Sequence, residues 1–257
     1  MMNRFFINAE QIDDVVEIRG DDFNHISNSL RLKKGDKIII SDQKGYDYIV
    51  RLDEFTDISV KAIVVNKKKN NSEPKIKIDL GQAIPKNRNM EYVIQKCVEI
   101  GAHKIIPINT KRTIVKLSHK KEQKRLKRWQ KISEEAAKQS QRGIIPVIKN
   151  IVSTDDKNNF KKLFAGYDLI LLLYTDLSSS NFKDILRDYK HDQISNMLLL
   201  IGPEGGFTKK EVKFFEEIKR QTYLEKISLG NRILRTETAG LVALSVVLYE
   251  YDELGGE

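Results

Sequence analysis

The sequence predicts an α/β protein in two parts: a small β-barrel over residues 1–72, then a layered domain with a parallel sheet over residues 73–257. Three observations lead there. The first 72 residues hold short β-branched and aromatic runs punctuated by turn glycines. From Lys75 the pattern changes to alternating strands and helices, as in α/β layer folds. Two wholly apolar runs, Leu169–Tyr174 and Met197–Ile201, have the character of parallel strands covered on both faces.

In chain order, strands are expected at Phe5–Ile7, Val15–Ile18, Lys37–Ile40, Tyr46–Leu52 and Ile58–Val65. Gly20, Lys34-Gly35-Asp36 and Lys44-Gly45 supply turns, and one helical piece lies around Asp22–Leu32. The charged, small-residue stretch Asn66–Pro74 reads as a linker. A strand at Ile76–Leu80 precedes a helix at Asn87–Ile100, where Met90, Val93, Ile94, Cys97 and Ile100 recur at helical spacing and Gly101 ends the turn. After a strand at Lys104–Ile108 comes a loop carrying Lys111 and Arg112, then a long basic helix through Trp129 to Ser140. Its first half, Lys120–Lys131, reads as a solvated face. A short strand at Val147–Ile151, helices at Asp155–Ala165 and Phe182–Tyr189, and the two apolar strands follow. Thr208 and Glu211 have the spacing of a capping box for the next helix, which assigns Glu211 to structure. A strand at Tyr223–Leu229 and a helix at Glu237–Tyr251 complete the chain.

The 257 residues, 40% hydrophobic and 32% charged, suffice for a core in each part, and the formal net charge of +9 favours an anionic partner, nucleic acid first. A single cysteine, Cys97, excludes an intrachain disulfide framework, fits a reducing cytoplasm and lies on an apolar stripe as a packed thiol. No apolar run approaches a membrane span, and Met1–Phe6 is no signal peptide; a cytoplasmic protein without membrane partner is expected. The histidines His25, His103, His119 and His191 are scattered without metal-ligand spacing, so no metal site is expected. Arg4, beside Phe5-Phe6, together with His25 and Arg31 reads either as a basic, partly aromatic face for RNA or as an apolar first strand with solvated charges.

Two loops concentrate the chemistry. Ile201–Phe207 reads I-G-P-E-G-G-F after an apolar strand, and Ser228–Gly240 reads S-L-G-N-R-I-L-R-T-E-T-A-G before an apolar helix. A strand, glycine loop and helix make a general anion- or nucleotide-binding device, and two such loops at neighbouring strand ends make a crevice. The absence of G-x-G-x-x-G and of a P-loop lysine disfavours dinucleotides and nucleoside triphosphates. A pair of plain strand-to-helix turns is the other reading.

Taken together, these two motifs closely resemble those of the RsmE family of 16S rRNA uridine-N3 methyltransferases, within the SPOUT superfamily. The resemblance extends to R-F-F at Arg4–Phe6, the His25–Arg31 segment and K-K-G-D at Lys33–Asp36, which are similar to that family's PUA-like RNA-binding barrel. E-Y-V-I-Q-K-C-V-E-I-G-A at Glu91–Ala102, Lys111-Arg112 and E-E-A-A-K-Q-S at Glu134–Ser140 are similar to its SPOUT domain. Asn231 stands where proline is common, and Lys138 and Gln141 where an acid and a glycine are expected.

The resemblance implies a deep trefoil knot, a homodimer, S-adenosylmethionine as cofactor and 16S rRNA of the small ribosomal subunit as substrate. It places the cofactor against Leu173, Tyr174, Ile201, Gly202, Pro203, Glu204, Gly205, Gly206, Ser228, Leu229, Gly230, Ile233, Leu234, Thr238 and Ala239. Arg235, Thr236 and Glu237 are implied to act in transfer: Arg235 steadies the uridine anion, and the other two position the base or relay its proton. Arg4, Arg31, Lys111, Arg112 and Arg142 are the implied RNA contacts, and Arg232 is left unassigned. A SPOUT enzyme acting on transfer RNA, or a non-catalytic RNA-binding protein, are the alternatives.

Overall fold

The computed structural model describes residues 2–87, 89–113, 119–174, 180–190, 194–218 and 222–254, with His119 and Ser180 described in backbone only. The chain divides into two compact units, Met1–Glu73 with Ala137–Ile145, and Pro74–Ala136 with Pro146–Glu257.

In the first unit, β1 (Arg4–Phe6), β2 (Val15–Arg19), β3 (Lys37–Ser41), β4 (Tyr46–Phe55) and β5 (Ser59–Lys69) form one sheet in the order β1-β3-β4-β5-β2. Register shifts between Ile49 and Val50 and between Leu52 and Glu54 interrupt the β4–β5 ladder, and such bulges bend a sheet around its core. That core gathers Phe5, Val16, Ile18, Ile38, Ile40, Val50, Leu52, Val60 and Ala62, with Ile26 contributed after the short helix α1 (Gly20–Asn24). The alternation that buries Val16 and Ile18 while exposing Val15, Glu17 and Arg19 is the period-2 pattern of a half-buried strand.

Three expectations need correction here. Asn66–Lys69 is not linker: it pairs with Tyr46–Ile49 as the end of β5, and the Lys67 ammonium sits 4.3 Å from the centre of the Tyr46 ring. Every side chain there is exposed, so the strand carries no apolar period. Arg4 is only 6% exposed; its guanidinium forms a two-pronged ion pair with Asp47, at 2.6 and 2.8 Å. Arg142, at 3%, is likewise buried, and it donates to both carboxylate oxygens of Glu73, at 3.2 and 2.5 Å. Glu73 also accepts from the backbone of Gly143 and Ile144. Both arginines are internal clamps of the first unit rather than surface contacts for RNA.

The second unit is built on a parallel sheet of β6 (Lys77–Ala83), β7 (Lys104–Asn109), β8 (Val147–Ile148), β9 (Val152–Ser153), β10 (Leu169–Leu173), β11 (Ser180–Asn181), β12 (Asn196–Ile201) and β13 (Tyr223–Ser228). The strand order is β11-β13-β10-β12-β6-β7-β8, with β9 also on β7. The single strand expected at Val147–Ile151 is thus two short ones on the same neighbour. Helices α2 (Asn89–Ile100), α3 (His119–Gln139), α4 (Lys157–Phe164), α5 (Phe182–Lys190), α6 (Lys209–Ile218) and α7 (Thr236–Glu250) accompany the sheet. Leu169–Leu172 and Met197–Leu200 are fully buried, which is why these strands are apolar without alternation. Cys97 is buried on α2, and desolvation pushes its thiol up to about 12, as a packed group requires.

From β13, on the far side of β10, the chain returns to lay α7 on β12 and β6. Gly240 permits that close approach: a Cβ there would stand 3.1 Å from Gln82 Oε1 and 3.4 Å from Leu80 Cδ1.

Candidate active site

Sheet order and register together set the site. β13, β10, β12 and β6 are neighbours, and one row across them runs Ile227, Leu173, Ile201, Gln82. The chain after Leu173, the glycine loop after Ile201 and the loop after Ser228 therefore leave the sheet at one level, at its carboxyl edge. This is where open α/β sheets bind ligands. Of the residues expected at the cofactor, Leu173, Tyr174, Ile201–Gly206 and Ser228–Leu234 flank this edge.

The glycine loop is fixed at both ends. Gly206 adopts φ = +68° and its N–H donates to the Pro203 carbonyl at 2.8 Å, a turn that suits glycine. Phe207 is buried edge-on against Phe215, in a cluster with Phe160, Phe164 and Phe214. Glu204 is exposed, and its Oε1 accepts from the Lys86 N–H at 3.0 Å, so it braces the loop against the residues that follow β6. The Arg112 guanidinium donates to the Gly205 carbonyl and its side chain lies across Gly205, which has no Cβ to obstruct it.

Glu211 secures the base of this loop. Its Oε2 accepts from the backbone N–H and hydroxyl of Thr208, both at 2.8 Å, and Thr208 Oγ1 caps the helix by accepting from the Glu211 N–H. Its Oε1 accepts from the Lys111 N–H at 3.0 Å and the Thr154 hydroxyl at 2.8 Å. Burial alone would raise the carboxyl pKa; the donors from Lys111, Thr208 and Thr154 outweigh it and hold the group below its ordinary value. The Lys111 ammonium itself pairs with Asp155 on the surface, at 2.5 Å.

The second loop mixes exposure and anchorage. Gly230 donates to Ser228 Oγ at 3.3 Å; Arg232 and Arg235 are exposed. Ile233 is 93% exposed, an extreme for a β-branched apolar residue, and Leu234 beside it is half-buried. Arg235 is the N-cap residue of α7 and makes no side-chain cap hydrogen bond. Its carbonyl accepts from the N–H groups of Thr238 and Ala239, both half-buried in the first turn. Glu237 is half-buried, and its Oε1 accepts from Asn89 Nδ2 at 3.0 Å.

Thr236 is turned inward. It is 5% exposed; its hydroxyl donates to the Gly202 carbonyl at 2.6 Å and accepts from Gln82 Nε2 at 2.9 Å. The expected transfer role is corrected to that of a brace between the glycine loop, β6 and α7. Gln82 and Asn89 are the residues that sequence reasoning missed. Gln82 is fully buried, donates also to the Ala83 carbonyl, and keeps its Oε1 without a partner among the described residues. A lone amide inside the apolar strand K-I-D-L-G-Q-A was the available signal.

Chemically, the edge offers apolar cover at exposed Ile233 and half-buried Leu234, backbone polar groups of two loops, exposed guanidinium groups at Arg232 and Arg235, and carboxylates oriented by donors at Glu204 and Glu237. Among the described residues no three His, Cys, Asp or Glu side chains gather as metal ligands. The side chains of His119 and His191 lie outside the described residues.

Comparison with known proteins matches residues 71–248 to an RNA methyltransferase domain and residues 18–65 to an RNA methyltransferase PUA domain. Over the full length of both chains, the protein is 34% identical to the ribosomal RNA small subunit methyltransferase E of Bacillus subtilis. A putative methyltransferase of Legionella pneumophila, solved with its cofactor SAM, superposes with a TM-score of 0.83 at 30% identity, over 97% of this chain and 98% of that one. The ribosomal RNA small subunit methyltransferase E of Neisseria gonorrhoeae, solved bound to S-adenosyl methionine, also gives 0.83, at 27% identity over the same shares.

Proposed function

The chain belongs to the ribosomal RNA small subunit methyltransferase E family, and we infer from this that it methylates uridine N3 in 16S rRNA with S-adenosylmethionine as methyl donor. The observation that carries the reading is the row Ile227–Leu173–Ile201–Gln82, which sends the two motif loops out of one sheet edge. The edge fits the cofactor: Ile233 is an apolar side chain left uncovered, suited to an adenine face, and neighbouring backbone groups suit its hydrogen-bonding rim. Leu229, Ile233 and Leu234 are assigned to the adenosine; Leu173, Tyr174, Ile201–Gly206, Ser228, Gly230, Thr238 and Ala239 complete the surround.

When bound, S-adenosylmethionine supplies a methyl group on a sulfonium. The protein's own task is to align uridine N3 and favour its deprotonated form. Arg235, exposed at the start of α7, holds the negative charge that develops on a uracil carbonyl oxygen. Glu237 has one carboxylate oxygen fixed by Asn89 and presents the other to position the base or take its proton. Thr236 and Gln82 hold Gly202 and the first turn of α7 in mutual register.

Three further parts follow from the same reading. The trefoil knot is supported by the path from β13 past β10 to α7 on β12 and β6. Val246 and Tyr249, exposed on the otherwise apolar α7, suit a homodimer seam. Arg31, Lys111 and Arg112, all exposed, remain RNA contacts. Among the described residues no helix is long and apolar enough to cross a membrane, and a ribosomal substrate places the work in the cytoplasm.

The test is to incubate the protein and labelled cofactor with small ribosomal subunits, naked 16S rRNA or transfer RNA, then digest and identify the nucleoside. N3-methyluridine from 16S rRNA is expected; label in transfer RNA alone would overturn the reading.

A further inference from the structure

Two thirds of the chain's formal net charge of +9 arises in twelve residues of α3, Lys120–Lys131, where seven basic side chains stand against one acid, Glu122. Their arrangement is ordered. Lys120, Lys124, Lys127 and Lys131 are separated by four, three and four residues, which places them on one stripe of the helix, about 16 Å long at 1.5 Å per residue. Leu126, Trp129, Ser133 and Ala136 are buried on the opposite side, so the helix lies on its unit with the lysines outward. All four lysines are exposed, and no ion pair is formed by any of them among the described residues. Exposed helical lysines in a structural role commonly pair with acids one turn away. Lys120, Lys124 and Lys127 have no acid three or four residues away on the helix; Glu134 and Glu135 follow only Lys131.

The stripe also has a position. Arg128, one side chain off it, donates to Glu91 in the first turn of α2 at 2.7 Å. Two residues earlier in the same turn, Asn89 holds Glu237 of the candidate active site. Arg128 thus sets the middle of the lysine-bearing helix beside the first turn of α2, the turn that also holds Glu237 at the start of α7.

We propose that Lys120, Lys124, Lys127 and Lys131 form a docking ridge for the phosphate backbone of the RNA that flanks the target nucleotide. This rests on the RNA substrate inferred above and adds a surface that the sequence reading took for a solvated face. Unpaired, evenly repeated ammonium groups recognise a polyanion by charge and spacing, without reading bases. A membrane fits less well, because the apolar residues of α3 are turned into the core and none lies beside the lysines to enter a bilayer.

The decisive variant is K120Q/K124Q/K127Q/K131Q, compared with K157Q/K161Q/K162Q on α4, where three exposed lysines are neutralised elsewhere. Binding to 16S rRNA is measured from low to high salt, together with the KM for small subunits, kcat and cofactor affinity. The ridge variant should lower the slope of log affinity against log salt by about 3, at roughly 0.7 per lost single-strand phosphate contact. Its KM should rise about tenfold, with kcat and cofactor affinity within twofold of wild type. An unchanged slope, or an equal loss in the α4 variant, overturns the proposal. So does binding to anionic phosphatidylserine vesicles that the ridge variant loses while its RNA slope stays the same. Failure of the functional reading is distinct: wild type would then transfer no methyl group to the small subunit, whatever the salt slopes.

Discussion

The side-chain amide of Gln82 lies 2.9 Å from the hydroxyl of Thr236, and that hydroxyl lies 2.6 Å from the Gly202 carbonyl. One donor–acceptor chain thus ties β6, the glycine loop and the first turn of α7. Thr236→Val keeps the shape and removes the link, leaving a buried amide and a carbonyl short of partners, at a cost of about 1–3 kcal/mol. Urea denaturation should report that loss and calorimetry a weaker cofactor affinity, while Thr236→Ser restores both. A valine variant with wild-type values would show that the chain of bonds is incidental.

Arg235→Ala tests charge stabilisation directly. The residue is exposed and carries no packing load, so folding and cofactor affinity should stay near wild type. Single-turnover methyl transfer should fall by about 2–4 kcal/mol of barrier, or roughly 30- to 1000-fold. A rate within threefold of wild type, with cofactor bound, removes Arg235 from the mechanism.

Glu211 makes stability depend on acid pH. Its folded-state pKa is held below the ordinary 4.5, so its contribution is complete above that value and is lost as pH falls through the folded-state pKa. Glu211→Gln should therefore be less stable than wild type near pH 7, by about 1–3 kcal/mol, with the gap closing below pH 4.5. Denaturant midpoints at a series of pH values would show it; a gap that is constant with pH contradicts the assignment.

Arg4→Gln separates the structural from the RNA-binding reading of the first strand. It strands a buried Asp47 carboxylate, whose remaining side-chain donor is Asn70 at 3.0 Å. Removing one partner of such a pair costs about 3–5 kcal/mol. Thermal melting of the first unit should drop sharply. A stable variant whose RNA affinity alone declines would reinstate Arg4 as a surface contact.

What the sequence made legible was local or repetitive. The capping box of Thr208 and Glu211 needs only a spacing of three, and the fully buried strands β10 and β12 announce themselves by unbroken apolar runs. The motif loops were legible by resemblance, and the sheet then explains why they share an edge. What escaped were partners far apart in the chain: Gln82 with Thr236 at a separation of 154 residues, Asn89 with Glu237 at 148, Arg142 with Glu73 at 69. No periodicity encodes such pairs. A buried arginine and an exposed one look alike until the opposing carboxylate is known. Asn66–Lys69 escapes for a related reason: where a strand end carries exposed side chains on both faces, ladder hydrogen bonds and the Lys67–Tyr46 contact, not burial, keep it in the sheet.

The first unit is discontinuous: its Glu73 is satisfied by Arg142, Gly143 and Ile144, and its Ser41 hydroxyl by the Gly143 carbonyl. During synthesis the chain emerges at about 5–20 residues per second, and an amino-terminal domain ordinarily closes first. Here the unit is complete only once Ile145 has left the ribosome, by which time β6, β7 and α3 are already made. The two units are completed in an interleaved order, and a chain stopped at Glu73, lacking the donors of Arg142, Gly143 and Ile144, should melt at a lower temperature than the first unit of the full chain.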